Sequence, residues 1–514
     1  MGQRHRQSVE FLGQQDLASQ SGGAGETEGK IEHVLLVLAW VLEALEVLRV
    51  DDDVTRGTGQ GSLAGALDVD VVLPCDLEKG ESFRRIDLDA LSDLDTTVLA
   101  FDNQPAWKKG RVWPADYMRV AREMYTAEEI AWQKRYAFTR LIRNGITTAL
   151  PIASLFYREW GETWDEFAAA AEAAEELGLR VYLGPAYRSG NSFVRADGAI
   201  EQFFDEARGL AGLAQAERFC RAFEGRARGL VRTMLAPDRI ETCTPDLIRR
   251  SGDLARELGV PVRLHCCQSR YEYETVLRLR GMSPPEWLAS LDFLSERAIL
   301  PHLTVVSGAN GVTHPAPDLE IIRDSGASLA HCPLVMARQG VALRSFRRYR
   351  DMGITIGMGT DTHPPDMILN MQMGLVLARV ADGEAQAVRA EDLYDAATLG
   401  GARALGRDDL GRLAPGARAD LVVIDLADPS IGQVIDPIQT LLLNASGREV
   451  RTVVINGRFV MEEGVIPGVD DRAMRDRAQA QFDRLVAQYP DRTFGHPPVS
   501  GIFPSSYRRI GTPA

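Results

Sequence analysis

Cysteine is scarce and scattered: six in 514 residues, at positions 75, 220, 243, 266, 267 and 332, with no Cys-x-x-Cys pair. That excludes a disulfide framework and a zinc ribbon, and it points to a reducing cytoplasm. An excess of basic charge is missing as well. The formal net charge is -14, which argues against nucleic acid as a partner, because proteins that bind a phosphate backbone present basic faces. Nor is there a run long enough to span a bilayer. The most apolar stretch, residues 31–50, is uncharged only from Val34 to Leu42 and then carries Glu43, Glu46 and Arg49, so it reads as a buried or partner-facing helix. No basic segment runs directly into an apolar core with a small-residue cleavage site, so no secretory leader is expected.

What remains is the composition of a soluble globular protein, 45% hydrophobic and 25% charged. Its length exceeds a single ordinary core, so a large domain with a smaller one is expected. Residues 1–30 are rich in Gln, Gly, Ser and Glu without apolar period and are expected to be disordered. Residues 31–85 form an N-terminal element of uncertain fold. From Ile86 to about residue 405, β-type runs and helical patterns alternate. Thr163 and Glu166 make a capping box for a helix that Gly178 ends; Pro245 opens a second helix that Gly259 ends. Strand, crossover helix and strand, repeated, implies a parallel sheet with right-handed connections. Eight strand candidates before residue 365 suit an α/β fold of the closed (β/α)8 type. Residues 406–465 carry short β-type runs, expected as a small sheet outside the barrel, and 466–514 a terminal helix and tail.

The candidate chemistry sits where these strands end. GITIGMGTDTHPP (353–365) delivers Asp361 at a strand exit, with His363 in the loop beyond. VPVRLHCCQ ends in His265, AILPHLTVVSG carries His302 and ASLAHCPLV carries His331. Polar groups at the carboxyl ends of barrel strands read as catalytic. Adjacent strand residues point to opposite faces, so at most one of Cys266 and Cys267 shares the side of His265, and small-residue packing is the expected role of both.

With GMGTD, AHCP, VRLHCCQ, NGITT (144–148), LAPGARADLVVIDL and VVINGRFV in this order, the chain resembles the amidohydrolase superfamily, in particular its cytosine-deaminase and triazine-hydrolase-like branch. The resemblance implies a metal-dependent hydrolase acting on a carbon–nitrogen or carbon–halogen bond of a small, cyclic substrate. It implies one divalent ion (zinc, manganese or iron) with His265 and Asp361 as ligands. His302 would polarise the substrate, and Asp361 would accept the proton of the activated water. His331, Gln268 and His363 would face the substrate, His331 being equally open to a plain structural role. A small-molecule substrate and self-association are the partners expected.

Two departures stand out. The family opens its barrel with His-x-His, and this chain contains none; RRIDLDALSDLD stands in its place. In one register Asp89 and Leu91 replace the histidines, in another Asp87 and Asp89 do. Carboxylate oxygen is a hard donor and moves the preference from zinc towards manganese or magnesium. Gln268 occupies the position of a family glutamate, and an amide cannot shuttle a proton. A catalytically degenerate barrel that binds without turnover is the alternative these departures leave open.

Overall fold

The computed structural model describes residues 85–91, 114–152, 155 and 158–507. The readings of residues 1–30 and 31–50, and most of that of 51–85, lie outside the described residues.

Eight short strands make one parallel sheet: β1 (Ile86–Leu91), β2 (Thr148–Ile152), β3 (Arg180–Leu183), β4 (Val231–Thr233), β5 (Val262–Arg263), β6 (Ala298–Pro301), β7 (Ser328–His331) and β8 (Ile356–Met358). Their order is β4-β3-β2-β1-β8-β7-β6-β5. Just beyond β4, Leu235 N–H donates to Pro261 O and Arg263 N–H donates to Leu235 O, both at 2.9 Å. This parallel bridge between Leu235 and Val262 joins the two ends of the order, and the sheet is a closed (β/α)8 barrel.

Side-chain alternation divides the barrel into two layers. Val181, Val231, Val262, Leu264, Leu300 and Leu329 belong to the large apolar layer under the helices. Their alternates Leu88, Leu150, Tyr182, Ile299 and Ala330 form a separate cluster that fills the ring. Local signals explain the surrounding helices. Thr126 and Glu129 form the capping box of α1 (Ala127–Arg143). Thr163 caps α2 (Trp164–Leu177), which Gly178 ends at φ +81°, a conformation costly for any residue with a Cβ. Pro245 stands at the start of α3 (Pro245–Leu258), as its sequence leads one to expect.

Outside the barrel, β9 (Leu421–Ile424), β10 (Val450–Ile455) and β11 (Arg458–Met461) form an antiparallel sheet. The pair Arg180–Asp420 ties it to β3 at 2.9 Å, with both side chains 1% exposed. The helix α4 (Asp471–Gln488) follows. Among the described residues, no helix is long and apolar enough to cross a membrane.

Candidate metal centre

Parallel strands in a closed barrel all present their carboxyl ends at one rim, so residues distant in sequence meet there. Asp89 from β1, His265 just after β5 and His302 just after β6 are buried and offer ligand atoms that all lie within 4.8 Å of one another. Asp89 Oδ2 is 3.5 Å from His265 Nε2. Asp361, leaving β8, joins them from the other side, with its Oδ2 3.6 Å from His302 Nε2. A carboxylate and two imidazoles converging in a buried cluster fit a divalent cation of borderline hardness.

The backbone around the cluster is strained. His302 (φ +78°), Leu303 (φ +39°), Cys267 (φ +59°) and Asp361 (φ +42°) all occupy positive φ, which is sparsely populated by residues with a Cβ. Such strain survives where surrounding structure over-determines it, and it concentrates at functional sites.

Several contacts hold the donors. His265 Nδ1 lies 2.8 Å from Asp238 O, which leaves Nε2 towards the cluster. Asp361 N–H donates to Asp89 O at 2.8 Å. The Asp87 carboxylate accepts hydrogen bonds from Thr360 N–H (3.0 Å), Thr360 Oγ1 (2.7 Å) and Asp89 N–H (3.2 Å). It is not in the Asp89–His265–His302 group; it ties β1 to the turn that carries Asp361. Burial pushes its carboxyl up to about 7 against the pull of Thr360. For Asp89, burial alone would raise the pKa, but His265, Arg263 and His302 outweigh it and hold the carboxyl below its ordinary value.

Arg263 is the residue the sequence reading passed over. It is 2% exposed inside the barrel, donates to Leu150 O (2.7 Å) and Pro151 O (2.9 Å), and places Nη1 3.6 Å from Asp89 Oδ1. An aspartate in place of a neutral histidine adds a negative charge, and a guanidinium directly below offsets it. The available signal was a lone cation within the apolar strand VPVRL. Glu272 was missed too. Its carboxylate accepts the backbone N–H groups of Cys267 and Gln268, and burial followed by the nearby Glu241 drives its pKa well above the ordinary range. Gln268 is half-buried, and its backbone N–H serves this loop anchor.

Gly359, just past β8, lets Asp89 of β1 and Cys332 beyond β7 close in on either side. A Cβ there would stand 2.7 Å from Cys332 Sγ and 2.8 Å from Asp89 Cβ. Gly359→Ala is therefore expected to push Asp89 out of line and lower kcat about 10–100-fold with the fold kept. Circular dichroism beside steady-state kinetics checks this, and unchanged kcat would refute it.

Two expected substrate contacts lie elsewhere. Ala330 faces the barrel interior, so its neighbour His331 faces the helices, among Pro333, Met336, Leu343, Phe346 and Gly374. Its Nδ1 is buried without a hydrogen-bond partner, and desolvation pulls its pKa down to about 4. The unfolded chain takes up this proton near pH 6.5, the folded protein only near 4. Stability from His331 is thus complete above pH 6.5 and lost as pH falls through that window, by up to about 3 kcal/mol. His331→Leu should flatten the fall in Tm between pH 7 and 4.5, as scanning calorimetry would show; an unaltered slope refutes this. His363 lines a surface groove of about 420 Å³ with Tyr136, Arg140, Arg143 and Asp471.

Comparison with known proteins shows the family and the fold. The profile of the amidohydrolase family matches residues 101–460, beginning ten residues after β1. The chain is similar to a 5-methylthioadenosine/S-adenosylhomocysteine deaminase of Natronomonas pharaonis, 29% identical over 393 residues, covering 75% of this chain and 82% of the relative. In structure it is similar to an adenosine deaminase from Xanthomonas campestris with bound zinc, at TM-score 0.64 and 21% identity, covering 79% of this chain and 85% of the other. It is also similar to a zinc-complexed atrazine chlorohydrolase from Arthrobacter aurescens, at TM-score 0.64 and 23% identity, covering 78% and 87%.

Proposed function

Because the chain belongs to the amidohydrolase family, we propose that it uses Asp89, His265, His302 and Asp361 with a divalent ion to remove the ring amino group of a purine nucleoside as ammonia. It is a hydrolase of the amidohydrolase type, a class that acts on carbon–nitrogen bonds other than peptide bonds. The observation that carries the finer reading is the buried meeting of Asp89, His265 and His302 beside Asp361. Deaminase activity in a relative 29% identical supplies the reaction type.

The donor set fits a cation: Asp89, His265 and His302 would hold it, with Asp361 close enough to share it. When bound, such an ion supplies Lewis-acid activation of water, lowering its pKa from 15.7 to about 7. Asp361 would accept the proton of the attacking water and return it to the departing amine. Asp87, through Thr360, fixes the turn from which Asp361 projects. Arg263 steadies Asp89 from below. Gln268 cannot carry a proton, so the transfer falls to Asp361 alone of the two positions. The degenerate-scaffold alternative is disfavoured by the same cluster, since a barrel released from catalysis has no need to keep two imidazoles and a carboxylate buried together. The five described cysteines are all buried free thiols, Cys266 and Cys267 included although their sulfurs lie 3.7 Å apart, which supports a reducing compartment such as the cytoplasm.

The test is ammonia release from adenosine, 5′-deoxyadenosine and 5′-methylthioadenosine by manganese- or zinc-loaded enzyme. Release from at least one, abolished by chelation and restored by metal, is expected. A metal-loaded enzyme inert towards all three overturns the nucleoside reading.

A further inference from the structure

Beside His265 stands a polar group that the chemistry above does not use. The segment after β4 runs parallel to the end of β5, with Arg239 bridged to His265 and Ile240 N–H donating to His265 O at 3.1 Å. From it project Asp238 (7% exposed), Arg239 and Glu241 (9% exposed). Arg239 Nε lies 3.8 Å from Asp238 Oδ2 and 3.7 Å from Glu241 Oε1, close enough for ion pairing and too far for hydrogen bonds. Asp238 Oδ2, Arg239 Nε and Glu241 Oε2 are all buried and make no hydrogen bond within the protein. Three adjacent buried heteroatoms with unspent bonding capacity are uncommon in folded proteins and call for a specific partner.

The pattern defines that partner. Asp238 Oδ2 lies 3.8 Å from Arg239 Nε, and Glu241 Oε2 belongs to the carboxylate whose other oxygen is 3.7 Å from it, so a ligand that meets all three donates twice and accepts once. Electrostatics exclude an anion: Arg239 already feels Asp238, Glu241, Glu272 and Asp361, so it offers no vacant positive site to a phosphate or carboxylate. Two adjacent hydroxyls meet the requirement, because each donates and accepts and can rotate to suit. A water molecule can also do so and is displaced by the hydroxyls it resembles, while the amino-bearing ring edge is assigned to the metal donors by the nucleoside reading.

The geometry points to Asp238, Arg239 and Glu241 as the wall that selects the vicinal hydroxyls of a substrate sugar. This rests on the proposed site, and it names the residues that would recognise the sugar of the proposed nucleoside. A site built to bond hydroxyls rejects the analogue lacking them, because its own buried groups are then left unpaired.

Binding separates this claim from the reaction. Calorimetric titration of the metal-loaded enzyme with inosine and with 2′,3′-dideoxyinosine requires no turnover. Inosine is expected to bind roughly thirtyfold more tightly. Asp238→Asn and Glu241→Gln, which keep side-chain shape, should each reduce that ratio to about threefold or less, while raising KM for a diol substrate more than they lower kcat. Equal affinity of the wild type for both ligands overturns the inference, even where a variant fails to fold. Equal weakening of both ligands in the variants overturns it too, since that is the mark of a structural role. A diol preference without ammonia release supports the wall and rejects deamination; ammonia release without diol preference does the reverse.

Discussion

Asp89→Ala is expected to give a folded protein with little metal and almost no activity. Three consequences coincide at this position. The buried group loses the carboxylate of its three clustered donors. His265 loses the partner 3.5 Å from its Nε2. Arg263, 2% exposed, is left facing the site without the carboxylate 3.6 Å away. Removing one partner of a buried ion pair costs about 3–5 kcal/mol, because the other charge remains in low dielectric. Here the stranded charge is also positive and would repel a cation. Outer contacts of metal ligands are worth roughly 10–100-fold in affinity, so loss of a ligand above an uncompensated guanidinium should exceed that range. Metal content after dialysis against a competing chelator, with kcat/KM on the same samples, provides the measurement. A variant that keeps the parent's metal affinity would remove Asp89 from the site. Charge balance can be tested separately. Asp89→His restores a neutral donor yet leaves Arg263 unpaired, so the double variant Asp89→His with Arg263→Met should hold metal better than Asp89→His alone.

Asp420→Ala should lower Tm by at least about 5 °C while leaving activity at 25 °C nearly unchanged. Asp420 accepts Arg180 Nε at 3.2 Å and Nη2 at 2.9 Å, and its Oδ1 also accepts Asn456 N–H at 2.7 Å. With both side chains 1% exposed, the alanine strands a buried guanidinium and a backbone donor at once. Arg180→Met with Asp420→Leu should recover most of the loss, since paired apolar replacements carry no desolvation cost. The exposed pair Arg221–Glu217 (50% and 36% exposed) provides the contrast: Glu217→Ala should leave Tm nearly unchanged. Equal effects from the two alanines would show that burial of the Arg180–Asp420 pair is not what anchors the small sheet.

The chain's own pattern was enough for the barrel and for the helices that surround it. Strand period, capping residues such as Thr163 and terminal glycines such as Gly178 act over a few residues, and local order is legible locally. The rim positions of His265, His302 and Asp361 were legible for a related reason: each follows an apolar run, and barrel topology sends every such end to one rim. Sequence left two registers open for the first strand, Asp89 with Leu91 or Asp87 with Asp89, because RRIDLDALSDLD can be set against His-x-His either way. In the folded chain Asp89 lies with His265 and His302, while the Asp87 carboxylate accepts hydrogen bonds from Thr360. Strand parity likewise sent His331 outward, which no inspection of AHCP could reveal without knowing that Ala330 faces in. Arg263 beside Asp89, and the placing of the Asp238–Arg239–Glu241 segment against His265, arise from contacts between segments apart in the chain. Charge balance and unmet hydrogen bonds depend on which groups share a desolvated space, and closure of the tertiary fold is what brings them into it.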